Sequence, residues 1–196
     1  MALEVTELRR VMGIDAGFTA TGIVVVELVP YDLLGRRKDR VAAAVTVRTT
    51  PDGRRRGLRV ADSDAERCQL VARAILDTAR EWHVEGVVTE LPNAGAQGAR
   101  PNRSMGMATG VVAACVEAMV LPAEWVTPFD VKRVATGRRD GSKEDVQAAV
   151  YELFEWAPGT IGLHKWQKEH TADGAGAVRA AERGVLIRGL RGRAAA

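Results

Sequence analysis

Four side chains in this sequence are of the types that hold a hard metal ion beside a phosphate: Asp15, Glu90, His170 and Asp173. Asp15 ends the apolar run Val11-Met12-Gly13-Ile14 and precedes a glycine-rich turn, Gly17 to Gly22. Glu90 ends a second run, Gly86-Val87-Val88-Thr89. A carboxylate buried without a partner costs several kcal/mol, so an acid closing a buried strand calls for a cation or for donors beside it. His170 and Asp173 lie three positions apart and so share one helix face. Three carboxylates and an imidazole form an oxygen-rich set that suits Mg²⁺ or Mn²⁺. Two such ions a few ångströms apart can activate a water and stabilise the leaving oxygen of a phosphodiester. Taken singly, each residue has a plainer account: Asp15 capping its own turn, Glu90 a strand-end charge, His170 and Asp173 first-turn helix residues. His83 and His164 have no acids grouped around them and read as ordinary.

The elements that must position these four can be traced along the chain. Arg10–Ala16 and Thr21–Leu28 form a hairpin, and Val41–Thr49 alternates as a third strand, which gives an antiparallel meander. A helix starts at Asp62 or Ser63 and ends near Trp82. The strand Gly86–Glu90 follows it and runs parallel to the first. Leu91 to Arg103 reads as a loop, and Ser104 caps a helix to about Val120 that is apolar nearly all round, with Gly106 and Gly110 four apart. One core face cannot use all of that surface. Ala123–Val126 is a short strand, and Thr127-Pro128 opens a brief helix. Gly137 to Gly141 is a basic loop, and Ser142 caps the next helix, through Leu153. Ala157 to Gln167 reads as irregular. The last helix starts near Glu169; its residues Gly174-Ala175-Gly176-Ala177 are small enough to lie close on a sheet, bringing His170 and Asp173 over Asp15 and Glu90. Residues 184–196 read as a flexible basic tail. The expected fold is α/β: a mixed five-stranded sheet, three antiparallel strands then parallel ones, flanked by helices. A single domain is expected over 1–196, with its core at about 10–183.

Composition sets the class. With 196 residues, 46% of them hydrophobic, the chain suits one globular domain. No stretch approaches a membrane span, and Met1 to Arg10 lacks the apolar centre of a signal peptide. Cys68 and Cys115 sit in apolar helical patterns and read as free thiols in a reducing cytoplasm. The net charge of +3 and the arginine clusters are compatible with a polyanionic partner.

The ordered set of motifs resembles the RuvC family of Holliday junction resolvases, within the ribonuclease H-like superfamily. Gly13-Ile14-Asp15-Ala16-Gly17 resembles the family's first acidic motif and Val88-Thr89-Glu90 its second. Phe129 to Val134 and Ser142 to Val146 resemble its two lysine-bearing segments, and His170-Thr171-Ala172-Asp173-Gly174-Ala175 its closing motif. The resemblance spans about Val11 to Ala181. It implies a homodimer that grips four-way or other branched DNA and nicks two strands. It implies Asp15, Glu90 and Asp173 as ligands of Mg²⁺ or Mn²⁺, two ions per site, and His170 as ligand or water-orienting base. Lys132 and Lys143 would meet phosphates near the cut. Arg133, Arg138, Arg139, Arg100, Arg103, Asn93 and Gln97 are further candidate DNA contacts. The family often carries an aromatic residue in the loop after the second acid; Leu91 to Gln97 has none, which puts cleavage-sequence preference and junction opening in question. The arginine-rich inserts suit a divergent, phage-type member, which would work in the host cytoplasm. A related nuclease acting on RNA has the same chemistry. The phosphate loop of actin- and sugar-kinase-like ATPases also resembles Gly13 to Gly17, but that class needs two such domains around a nucleotide.

Overall fold

The computed structural model describes residues 8–30, 38–49, 59–91, 98–162 and 164–194. Strands β1 (Arg9–Asp15), β2 (Ala20–Leu28) and β3 (Arg40–Arg48) form the expected meander. Strands β4 (Gly86–Glu90) and β5 (Ala123–Val126) extend it in parallel on the other side of β1. Among the described residues the sheet has six strands in the order β5-β4-β1-β2-β3-β6, one more than expected. The addition, β6 (Glu155–Trp156), pairs with the edge strand β3 over only two residues, too short to show any alternation in sequence.

Helices cover both faces, and strand alternation decides which side chains meet which layer. Met12, Ile14, Ile23, Val25 and Val87 face one core, shared with α1 (Val60–Glu81) and α2 (Ala99–Met119). Val11, Val24, Val26 and Val88 face the other. That second core is closed by α3 (Pro128–Thr136), α4 (Lys143–Leu153), α5 (Lys165–Ala180) and α6 (Val185–Ala194). Asp15 stands two residues on from Gly13, which lies against α5, and Glu90 stands two residues on from Val88. By the same alternation both carboxylates belong to the α5 side.

Helix α5 lies on the sheet with almost nothing between the backbones. A methyl group at Gly13 would stand 2.2 Å from the Gly174 carbonyl oxygen, and one at Gly22 would stand 2.2 Å from that of His170. Ala172, Ala175 and Ala177 are fully buried there. This is the close approach that the small-residue run predicts.

Several element boundaries depart from expectation. Helix α1 starts at Val60, ahead of the expected caps Asp62 and Ser63, and has no side-chain cap. Helix α2 starts at Ala99, not Ser104: Gly98 turns the chain at φ 105° and Pro101 falls in the first turn, where its missing N–H costs nothing. Helix α5 starts at Lys165 instead of Glu169, with the Gln167 side chain accepting from the His164 backbone N–H at 3.0 Å, so His170 lies in the second turn. The expected flexible tail is helix α6 up to Ala194. Leu186, Ile187 and Leu190 are buried in the core on the α5 side, and the Arg191 guanidinium pairs with Asp39.

Candidate active site

Asp15 and Glu90 are paired residues at the ends of the parallel strands β1 and β4. Their side chains therefore leave neighbouring backbones on the same face, one interstrand spacing of about 4.8 Å apart. The register is held by the Thr89 hydroxyl, which donates to the Ile14 carbonyl at 3.2 Å. Beyond β1 the chain turns sharply. The Gly17 N–H donates to the Asp15 carbonyl at 3.0 Å, and the Thr21 hydroxyl donates to the Gly17 carbonyl at 2.7 Å.

Helix α5 brings the other two groups over these strand ends. His170 Nδ1 lies 2.6 Å from Asp15 Oδ2. That hydrogen bond, with the nearby Asp15, Glu169 and Asp173 charges, raises the imidazole pKa against the opposing effect of burial. Asp173, one turn further on, joins Glu90 in lining a cavity of about 230 Å³. Burial, then the charges of Asp15 and Asp173, push the Glu90 carboxyl up to about 8. Burial, then Asp15, push Asp173 up to about 7. Each acid is thus held in a place where a full negative charge is poorly compensated.

The same cavity is lined by Lys132 of α3 and Lys143 of α4, with Pro128, Val131 and Val146 completing its wall. Local sequence explains how the lysines arrive there. Thr127 and Asp130 cap the start of α3 reciprocally, and Ser142 and Asp145 do the same for α4, so Lys143 is the first residue of its helix. The ammonium group of Lys143 pairs with Glu169, a carboxylate that sequence reasoning passes over. Glu169 stands four residues before Asp173 on α5 and so shares its face. Its signal in sequence is only that spacing, because its partner Lys143 is 26 residues away.

The remaining candidates divide by position. Arg133 pairs with Asp130 at 3.2 Å on the exposed side of α3. Arg138 and Arg139 are exposed in the link between α3 and α4, with Arg138 3.5 Å from Asp140. Arg100 and Arg103 stand at the start of α2, not in a loop, and the Arg103 guanidinium donates to Asp64. Asn93 and Gln97 lie outside the described residues. His83 and His164 are exposed and stand apart from the acids, as expected.

In chemical type, the donor set of Asp15, Glu90, Asp173 and His170 fits a divalent cation: hard oxygens, crowded until two of them resist ionisation. Among the described residues no three His, Cys, Asp or Glu side chains converge into a ready-made cage, and His170 is hydrogen-bonded to Asp15.

No protein-family model and no curated protein sequence matches the chain. Solved structures do. A Thermus thermophilus RuvC bound to a Holliday junction substrate superposes with a TM-score of 0.70 at 21% identity, covering 93% of this chain and 97% of that one. A second T. thermophilus RuvC structure gives 0.66 at 21% identity, covering 89% and 96%. The yeast mitochondrial Holliday junction resolvase Ydc2 gives 0.64 at 12% identity, covering 96% and 84%. The mixed, helix-flanked sheet is therefore the RuvC-like, ribonuclease H-like fold over nearly the whole chain.

Proposed function

We propose that this protein is a divalent-metal-dependent endonuclease that cuts Holliday junctions or related branched DNA by phosphodiester hydrolysis. The observation that carries the reading is the cavity in which two poorly compensated acids, Glu90 and Asp173, face two lysines, Lys132 and Lys143, beside the Asp15–His170 pair. Lys143 and Lys132 pull the Glu90 carboxyl down yet leave it at about 8, so the cluster is still short of positive charge. A dication supplies that charge, and the lysines beside it suit a phosphodiester anion. The proteins of matching fold include one bound to a Holliday junction, and the chain covers nearly all of it.

In this reading Asp15, Glu90 and Asp173 hold Mg²⁺ or Mn²⁺, two ions per site. The metal supplies Lewis acidity at the phosphate and a water of lowered pKa. The protein's own groups do the rest. Lys132 and Lys143 hold the phosphate oxygens, and an ammonium suits that as a compact point charge. His170 keeps its Nδ1 proton on Asp15, which fixes the ring and leaves the other nitrogen to take a proton from water; this is the orienting logic of a carboxylate behind a histidine base. Arg133 on α3 and Arg138 and Arg139 in the link to α4 are exposed and give sequence-independent grip on the backbone. Two copies associating through α2 would nick two strands. Its Gly106 and Gly110 have open space around them and permit close helix approach.

The test is cleavage by the purified protein of a four-way junction, a flap, a linear duplex and an RNA–DNA hybrid, each with Mg²⁺, Mn²⁺ or EDTA. Metal-dependent nicking of the junction in preference to the duplex is the expected result. Preference for the hybrid would move the activity to RNA, and absence of cleavage on all four would remove it.

A further inference from the structure

One charged network lies outside the acid cluster, on the opposite face of the sheet. Arg67 of α1 is buried, its side chain only 9% exposed, and it faces the turn that follows Asp15. Its Nη2 donates to the Phe18 carbonyl at 3.1 Å, its Nε to the Thr49 hydroxyl at 3.3 Å, and its Nη1 to Asp64 at 3.3 Å. The guanidinium also lies 3.9 Å from the centre of the Phe18 ring. Thr49 is itself bound to the turn: its hydroxyl donates to the Phe18 carbonyl and its N–H to the Thr19 carbonyl at 2.9 Å. Asp64, whose side chain is 10% exposed, takes the Arg103 guanidinium on its other oxygen.

Burying an arginine is expensive unless its donors are used in good geometry. Here they are used on a turn with little apolar anchoring apart from Phe18. The fork shape of the group lets it hold a carbonyl, a hydroxyl and a carboxylate at once, which an ammonium cannot do. Asp64 then ties that clamp to the start of α2, the first helix after Glu90. One buried acid thus connects the clamp on the turn after Asp15 to the start of α2.

We propose that Arg67 is a positioning residue, which with Asp64 and Arg103 fixes the turn after Asp15 relative to the start of α2 and so holds the Asp15 carboxylate in its orientation at the strand end, where the β1–β4 pairing sets its distance from Glu90. The inference rests on the metal-site reading above. It assigns Arg103 an anchoring role besides any contact with DNA.

The test compares the parent with Arg67→Met, Arg67→Lys and Arg103→Ala, each verified as folded by circular dichroism. Three quantities are measured: Mn²⁺ binding by the free protein, amide exchange at Gly17 and Thr49, and junction cleavage alongside junction Kd. Arg67→Met should weaken Mn²⁺ binding about tenfold and lower kcat by up to about 10²-fold, the cost of a misplacement of about 1 Å. Its Gly17 and Thr49 amides should exchange about tenfold faster, with junction Kd within about threefold of the parent. Arg67→Lys should recover little, because the fork is lost. Arg103→Ala, at the partly exposed end of the chain of contacts, should show the Mn²⁺-binding and amide-exchange changes weakly, and these two readouts remain informative if Arg67→Met does not fold. A plain stability role would lower the melting temperature and leave Mn²⁺ binding of the folded protein unmoved; that result, or Arg67 variants matching the parent in Mn²⁺ affinity and kcat, overturns the proposal alone. A parent that binds no Mn²⁺ overturns the metal reading as well.

Discussion

In the proposed metal site Asp15 is the central residue, because it is hydrogen-bonded to His170 and shares a strand-end pair with Glu90. Asp15→Asn keeps the shape but removes a charge, and a carboxamide is a poor ligand for hard cations. Turnover on a junction should fall at least about a thousandfold, about 4 kcal/mol of barrier, while junction binding holds or improves because less negative charge faces the phosphates. An Asp15→Asn protein with parental turnover in Mg²⁺ would return the residue to a turn-capping role. His170→Asp should retain part of the activity that His170→Ala loses, with the acid limb of the pH–rate profile abolished; equal rates for both variants and the parent would remove His170 from the site. Glu169 invites a separate test. It holds the Lys143 ammonium and adds to the negative charge around His170 and Asp173. Glu169→Gln should tighten junction binding about two- to fivefold at low salt, with the gain fading as salt rises. Weaker binding, measured by fluorescence anisotropy, would mean that the acid supports Lys143 rather than restraining it.

Between the residues and the fold stands the seating of α5 on β1 and β2, and glycine is what allows it. Gly13→Ala would push a methyl group into the Gly174 carbonyl and Val178, so it should cost about 2–3 kcal/mol and displace His170 and Asp173 together. Gly192→Ala on α6 meets nothing within 4 Å and should be neutral or stabilising by up to about 1 kcal/mol, as alanine is in a helix. Thermal unfolding of the pair checks this, and similar melting temperatures would contradict the close-packed interface. This seating is readable in the sequence, since Gly174 to Ala177 are small and the two acids each close an apolar strand. So are the reciprocal caps at Thr127 and Ser142 that deliver the lysines. What escapes depends on partners distant in the chain or on weak local signals. Pro101 reads as a breaker until one sees that it falls in a first turn. Leu186, Ile187 and Leu190 are too diluted by glycine and arginine to announce α6. The pairs Arg67–Phe18 and Lys143–Glu169 join residues with no common local pattern.

At the scale of the whole molecule, two properties follow from surface and charge. Helix α2 uses Ala108, Val112 and Cys115 in the core and leaves Gly106, Gly110, Ala113, Ala114 and Ala118 exposed, a smooth strip suited to a second copy. Ala114→Asp should then give monomers in light scattering and leave junction binding reduced at least tenfold; an unmodified protein that stays monomeric on a junction would end the paired-nick model. Charge makes the sharper claim. In the metal-free protein Glu90 is pushed up to about 8 and Asp173 to about 7. Both release their protons near pH 4 when unfolded. Between those limits the folded chain holds protons that the unfolded chain has lost, so stability falls as pH rises. His170, raised by Asp15, acts in the same direction: its contribution is complete below about pH 6.5 and is lost as the pH passes its higher folded value. Asp130, lowered by its Thr127 hydrogen bonds, contributes only at more acid pH and does not offset the trend. The metal-free melting temperature should therefore drop steadily from about pH 5 to about pH 8.5. Mg²⁺ should raise it most at the alkaline end, where the acids are ionised and ready to bind, and least near pH 5, where protons occupy the same oxygens. Differential scanning calorimetry in EDTA and in excess Mg²⁺ decides the matter: a metal-free profile that is flat or rises with pH, or a Mg²⁺ effect independent of pH, would mean that these carboxylates are not the cation-demanding cluster their surroundings make them.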